Sequence, residues 1–235
     1  MASVGAGCKE ASRRPIRPRD AASLILLRLG GREHRVLIGR RPPAARFLPG
    51  CYVFPGGAVE PDDSRARPAS ELNANIVDSL AVGGKGLRAR RLAMAAVRET
   101  FEETGLLLAG PGDVGPVRSP AWSAMRTRGV APALHRLAYV GRAITPVSSP
   151  IRFHARFFVA DAQYTTGDLG GDSELEDLHW CSVNEFAHLP TIEVQSFMLS
   201  HAITTLTRND SGTNRKPLFT ERAGQRYIRY FKPPL

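Results

Sequence analysis

The 235 residues are 43% hydrophobic and 23% charged, the proportions of a folded globular chain, which excludes wholesale disorder. No apolar run reaches the ~18–20 residues of a spanning helix; the best stretch, Leu24–Leu29, carries Arg28, so no membrane role is expected. Lys plus Arg outnumber Asp plus Glu by 32 to 22, an excess of arginine whose planar fork suits phosphate oxygens, but aromatics total 7% and are not interleaved with basic residues, which argues against nucleic acid.

Residues 1–20 read as a basic, disordered tail without the apolar core of a secretory signal. The expected compartment is cytoplasmic, with organelle targeting by this tail as the alternative. Cys8, Cys51 and Cys181 form no CxxC pair, so they are read as free thiols in a reducing compartment, with Cys51 and Cys181 as small apolar fillers. Residues 21–235 are read as one domain. Ala21–Leu29 and Arg35–Gly39 predict two strands around Gly30-Gly31, followed by a basic loop holding Arg40, Arg41 and Arg46. Tyr52–Phe54 predicts a short strand running into Pro55-Gly56-Gly57. Residues 64–91 look like an insertion, with a short helix over Ser70–Ala81 and an exposed, mobile connection at Gly83-Gly84-Lys85-Gly86 on the rim of the site.

Leu92–Thr104 has helical spacing and a C-terminal stop at Gly105. Gly110–Pro120 reads as a Gly/Pro-rich loop, after which Ala121–Arg128 and Ala131–Leu137 predict short helices. Phe153–Ala160 predicts a strong strand, Leu178–Cys181 a weaker one and Val194–Thr207 a closing helix; alternating aromatics mark Arg222–Phe231. Unequal mixing of strands and helices points to an α/β/α or α+β fold. Asp161–Thr207 holds eight acids and no Lys or Arg, while residues 28–46 hold six Arg and one Glu. The two segments either line one cleft or sit on separate solvated faces.

Arg98-Glu99-Thr-Phe-Glu102-Glu103-Thr-Gly105-Leu106 carries the chemistry. On a helix, Glu99, Glu102 and Glu103 share a face at i,i+3 and i,i+4, where like charges repel. A hard divalent cation, Mg²⁺ or Mn²⁺, relieves that repulsion through carboxylate oxygens. Arg98 lies i,i+4 from Glu102 and can hold it. Gly56 and Gly57 allow the backbone to turn sharply beside a ligand or another element.

These residues resemble the Nudix box: Gly, five residues, Glu, seven residues, then Arg-Glu-apolar-x-Glu-Glu-x-Gly-apolar. Gly57 fills the first position and Arg98–Leu106 the second half. The chain departs from the pattern in three places. Thr100 stands at the apolar position, Asp63 replaces the first Glu, and Ser64–Val97 makes a 34-residue spacer. Val36–Arg41, Arg46–Gly50, Val53–Gly57, Ile144–Pro146 and Pro150–Phe158 resemble the long-form branch, which is similar to the peroxisomal coenzyme A diphosphatase. Glu174-x-Glu176-Asp177-x-x-Trp180 and Glu185 are similar to the late strand of many Nudix folds.

The resemblance implies an α/β/α sandwich around a mixed sheet. It also implies hydrolysis of a nucleoside diphosphate derivative, with coenzyme A or an acyl-coenzyme A first. ADP-ribose, dinucleotides or oxidised nucleotides are the alternative substrates, and a non-catalytic nucleotide sensor or regulator the alternative class. Glu99, Glu102 and Glu103 are the implied metal ligands, with Arg98 beside them. Glu174, or next Glu176, is the later acid that could serve as general base. Arg40, Arg41, Arg46, Gly56 and Gly57 are candidates for substrate binding. Alternation puts Arg152, His154 and Arg156 on one strand face, in reach of substrate phosphate or in a structural role. Trp180 is assigned to the core. The oligomeric state stays open, a homodimer included.

Overall fold

Strand β1 (Arg19–Arg28) organises the fold, because its apolar residues are buried on both of its faces. In the computed structural model, which describes residues 16–31, 33–80, 86–171, 174–208 and 214–231, it is followed by β2 (Arg35–Arg40), β3 (Tyr52–Val53) and β4 (Gly56–Ala58). A 3₁₀ turn, Pro61–Ser64, leads to α1 (Ala74–Ser79) and α2 (Gly86–Thr104). Next come β5 (Ala109–Pro111), α3 (Pro120–Thr127), β6 (Val130–Pro132), β7 (Ala138–Ile144) and β8 (Phe153–Asp161). The chain continues through β9 (Glu176–Ser182), α4 (Val183–Phe186), α5 (Glu193–Thr207), β10 (Lys216–Arg222) and β11 (Gln225–Phe231).

The main sheet runs β11-β10-β7-β8-β1-β2-β3, with β4 on β1 and β9 on β2. It is mixed, since β1 lies parallel to β8 from Arg19↔Phe153 to Leu27↔Asp161 and antiparallel to β2 and β4. The far edge of β1 is divided: Leu27 and Arg28 pair with β2, whereas Ala21–Ser23 pair with β4. That division brings Gly56 and Gly57 into the sheet beside α2.

Helices cover both faces. Leu24, Leu26 and Phe158 pack against Leu92, Ala93 and Ala96 of α2. Ile25, Leu27 and Val159 pack against Met198, Leu199 and Ala202 of α5. This is the α/β class expected, in three layers. Among the described residues no helix is long and apolar enough to cross a membrane.

Several boundaries move. Ala131–Leu137 is not a helix: Ala109–Pro111 pairs with Val130–Pro132 instead, leaving a 3₁₀ turn at Leu134–Arg136. Strand β7 has little alternation in its sequence and owes its form to the ladders with β8 and β10. The expected insertion loses residues 86–91 to α2, and its short helix begins at Ala74, where the Asn73 side chain accepts from the Asn75 N–H. β1 already includes Arg19 and Asp20. Of the tail expected over residues 1–20, residues 1–15 lie outside the described residues, as do Cys8 and residues 83–85 of the connection expected at Gly83-Gly84-Lys85-Gly86. Arg222–Phe231 closes a hairpin through Ala223 and Gly224, both at positive φ as a two-residue hairpin turn requires.

Gly39 is a close-approach position. A Cβ there would meet Leu175 Cβ at 2.7 Å. Gly39→Ala is therefore expected to lower stability by about 1–3 kcal/mol, the usual cost of overpacking. Chemical denaturation checks it, and an unchanged midpoint contradicts it.

Candidate active site

The C-terminal turns of α2 and the glycines of β4 meet at a cleft of about 530 Å³. Ala21 and Ser23 of β1 line it, as do Gly56, Gly57, Glu99, Glu102 and Arg98. Gly57 has a specific reason to be glycine, since a Cβ would lie 2.5 Å from Glu99 Oε1. Gly56 is equally constrained, since a Cβ there would lie 2.5 Å from the Ala22 carbonyl oxygen.

Arg98 is 2% exposed and ties these pieces together. Its Nε donates to Asp63 Oδ1 at 2.8 Å, and its Nη1 to Glu102 Oε2 at 2.7 Å. Its Nη2 donates to the Ala58 carbonyl at 3.0 Å and lies 3.0 Å from Glu99 Oε1. Asp63 is fully buried, so the shorter acid at the first Glu position serves as a guanidinium partner. Thr100 is tolerated at the apolar position because its hydroxyl donates to the Ala96 carbonyl at 2.8 Å.

Glu103 is buried and does not line the cleft; it accepts from the Gly56 N–H at 2.8 Å. Burial pushes the Glu99 carboxyl up to about 7, opposed by Arg98 and reinforced by the charges of Glu102 and Glu174. Burial also raises Glu103 well above the ordinary carboxylate range, with Glu99 and Glu174 adding to the rise and the Gly56 N–H opposing it. Glu174 lines the cleft from the chain before β9 and so joins the cluster electrostatically.

The basic loop disperses. Arg40 pairs with Glu176 at 2.9 Å and lines no part of the cleft, nor does the exposed Arg46. Arg41 lines it and donates from Nε to the Phe47 carbonyl at 2.8 Å. Sequence alternation places Arg152, His154 and Arg156 together, but on the face away from the cleft, which takes Phe153, Ala155 and Phe157. Burial and the Arg156 and Arg142 charges push His154 down to about 4, so it is neutral at pH 7. No described residue between 64 and 91 lines the cleft.

Trp180 is half-buried against the core under the Arg28 guanidinium, 3.9 Å from the ring centre. Cys181 is buried, Cys51 half-buried, and both are free.

The opposite end of the cleft was missed in the sequence. Phe47 and Phe153 meet edge to face at 5.2 Å, and Phe157, Phe219, Ile144 and Val194 extend this apolar arm, with the polar Glu193, Gln195 and Glu221 also on the lining. Its signal was the inward half of the β8 alternation.

Among the described residues no three His, Cys, Asp or Glu are already gathered as a closed metal-ligand set. The chemistry of the acids nevertheless fits a hard divalent cation. Their oxygens are hard donors, and burial, reinforced by the neighbouring carboxylates, disfavours the ionised forms of Glu99 and Glu103, a cost that a bound cation would offset.

No family model matches the chain. A solved Nudix hydrolase from Alicyclobacillus acidocaldarius is similar over 80% of this chain and 92% of its own, with 30% identity and a TM-score of 0.59. Nudix hydrolase 7 of Caenorhabditis elegans is 27% identical over 178 residues, 71% of this chain and 52% of its own. The acyl-coenzyme A diphosphatase NUDT19 of Gallus gallus is 30% identical over 125 residues, 40% of this chain and 33% of its own. The chain thus spans about half, or less, of the curated relatives it matches. Box, fold and relatives agree: the chain belongs to the Nudix hydrolase family.

Two measurements follow from the geometry. Gly57→Ala displaces the Glu99 carboxylate and is expected to leave the fold cooperative while weakening any divalent-cation binding, read by calorimetric titration. The metal-free protein should lose stability between about pH 4.5 and pH 7. The folded Glu99 pKa is raised, so the favourable contribution present below the unfolded value disappears as pH rises through the folded value. Glu99→Gln should flatten that decline, and an equal decline in both proteins overturns the assignment.

Proposed function

We propose that the protein hydrolyses the diphosphate linkage of a nucleoside diphosphate derivative, with coenzyme A or an acyl-coenzyme A as the substrate. One observation carries this reading: a buried carboxylate cluster at one end of a cleft whose other end is an apolar aromatic arm. The acyl-coenzyme A diphosphatase named among the relatives supports the choice of substrate.

Glu99, Glu102 and Glu103 would hold Mg²⁺ or Mn²⁺. Bound there, such an ion neutralises diphosphate charge and activates water. Arg98 fixes the Glu99 and Glu102 oxygens through its own buried bonds, so they need not reorganise during reaction. Glu174 is the general base and holds, on its carboxylate, the proton that leaves the attacking water. The water oxygen joins phosphorus, a P–O bond of the anhydride breaks, and two phosphomonoesters leave. Arg41 faces the negative charge of the substrate at the cleft wall. The uncharged pantetheine and acyl portion occupies the arm of Phe47, Phe153, Phe157 and Phe219.

A substrate panel with Mg²⁺ and chromatographic detection of products tests the reading. Coenzyme A or its acyl derivatives should give 3′,5′-ADP and (acyl-)4′-phosphopantetheine, and coenzyme A should react faster than its 3′-dephospho form. Fast cleavage of ADP-ribose with none of coenzyme A overturns the substrate, and no turnover of any diphosphate overturns the enzyme.

Glu103→Gln keeps an acceptor for the Gly56 N–H and should lower kcat at least about tenfold, roughly 1.4 kcal/mol of barrier stabilisation. Arg41→Ala should act chiefly on KM. Arg40→Ala, whose partner is Glu176, should leave KM for coenzyme A nearly unchanged.

A further inference from the structure

On the sheet face turned away from the cleft, three guanidinium groups converge on one carboxylate. Asp20 Oδ1 accepts from Arg156 Nη1 at 2.8 Å, and Oδ2 accepts from Arg88 Nη2 at 2.9 Å and Arg91 Nη2 at 3.3 Å. Arg88 and Arg91 are i,i+3 neighbours in the first turns of α2, so their charges lie side by side. Arg142 stands directly across the β7–β8 ladder from Arg156. The lone acid cannot balance this group.

The donors are also under-used. Arg156 is 2% exposed, yet its Nε has no hydrogen-bond partner among the described residues, and neither do the buried Arg91 Nε and His154 Nε2. A buried polar group without a partner is costly, more so when charged. A structural ion pair accounts for Arg156 with Asp20. It does not account for two more arginines aimed at the same oxygen. The Arg88 and Arg91 side chains are 39% and 35% exposed, which leaves an entrance on the helix side.

We propose that Arg88, Arg91 and Arg156 form an oxyanion site for a phosphate or phosphomonoester group, separate from the cleft. The alternation of β1 and β8 enforces the separation: Ala21, Ser23, Phe153, Ala155 and Phe157 face the cleft, and Asp20, His154 and Arg156 face the arginines. Guanidinium forks match phosphate oxygens in pairs, and His154, being neutral, can add a donor or an acceptor. An anion bound there braces α2, the helix that carries Glu99, against β1 and β8. The site does not depend on the diphosphatase reading.

Thermal denaturation of the full chain in inorganic phosphate or in AMP, at ionic strength held constant with NaCl, tests the site. At ten times Kd the Tm should rise by roughly 3–5 °C. Arg88→Ala and Arg91→Ala should each lose most of that rise, whereas Arg41→Ala, at the cleft, should keep it. A rise with phosphate alone identifies the free ion as sufficient; a rise only with AMP identifies the nucleotide monoester. No rise with either probe, or a rise unchanged in the Arg88 and Arg91 variants, overturns the proposal. If the alanine variants fail to fold, Arg88→Gln and Arg91→Gln decide by the same criterion.

Discussion

The site depends on a buried positive charge. Arg98 leaves solvent completely enough that every one of its contacts matters, and it spends them on Asp63, Glu99, Glu102 and the Ala58 carbonyl. Removing one partner of such a buried pair typically costs about 3–5 kcal/mol, because the other charge is stranded. The same guanidinium joins the chain on both sides of the long spacer. Asp63 precedes the spacer and Arg98 follows it, so the segment between them can lengthen without moving the carboxylates. Loop closure tolerates this, since its entropic cost grows only slowly with length.

Charge is sorted by the faces of the sheet and by register. The cleft gathers Glu99, Glu102 and Glu174 with Arg98 and Arg41, and is lined elsewhere by Phe153 and Phe219 together with Glu193 and Glu221. The opposite face gathers Arg88, Arg91 and Arg156 around Asp20. One-residue alternation along β1 and β8 is enough to separate the two environments by the thickness of a sheet. Among the described residues, the basic and acidic stretches of the sequence therefore meet in the cleft through particular residues, Arg41 on one side and Glu174 and Glu193 on the other. Arg40 and Glu176 neutralise each other outside it.

The C-terminal half of α2 was legible because its signals are local. Its carboxylate spacing, the stop at Gly105 and the Gly-Gly turn all follow from residues a few positions apart. The strong strands were legible for the same reason: β1 carries a long apolar run, and β8 alternates before its own apolar run at Phe157–Ala160. Strand β7 was not, since its form comes from partners β8 and β10, remote in sequence. The apolar spacing of Ala131–Leu137 suits a helix, but the pairing of Val130–Pro132 with Ala109–Pro111, remote in sequence, decides otherwise.

By itself, the sequence determined the carboxylate cluster, the glycine turn, the mixed α/β character and the resemblance that all of these carry. Only the tertiary structure decided which arginine reaches the cleft, which face His154 and Arg156 occupy, and that Phe47 meets Phe153 and Phe219 in one arm. The physical reason is range. Helix spacing and turn geometry are set by neighbours along the chain, whereas the partner of a long charged side chain is set by whichever opposite charge or carbonyl the fold brings within hydrogen-bond distance. Arg40 found Glu176, and Arg98 found Asp63, across 136 and 35 positions of sequence.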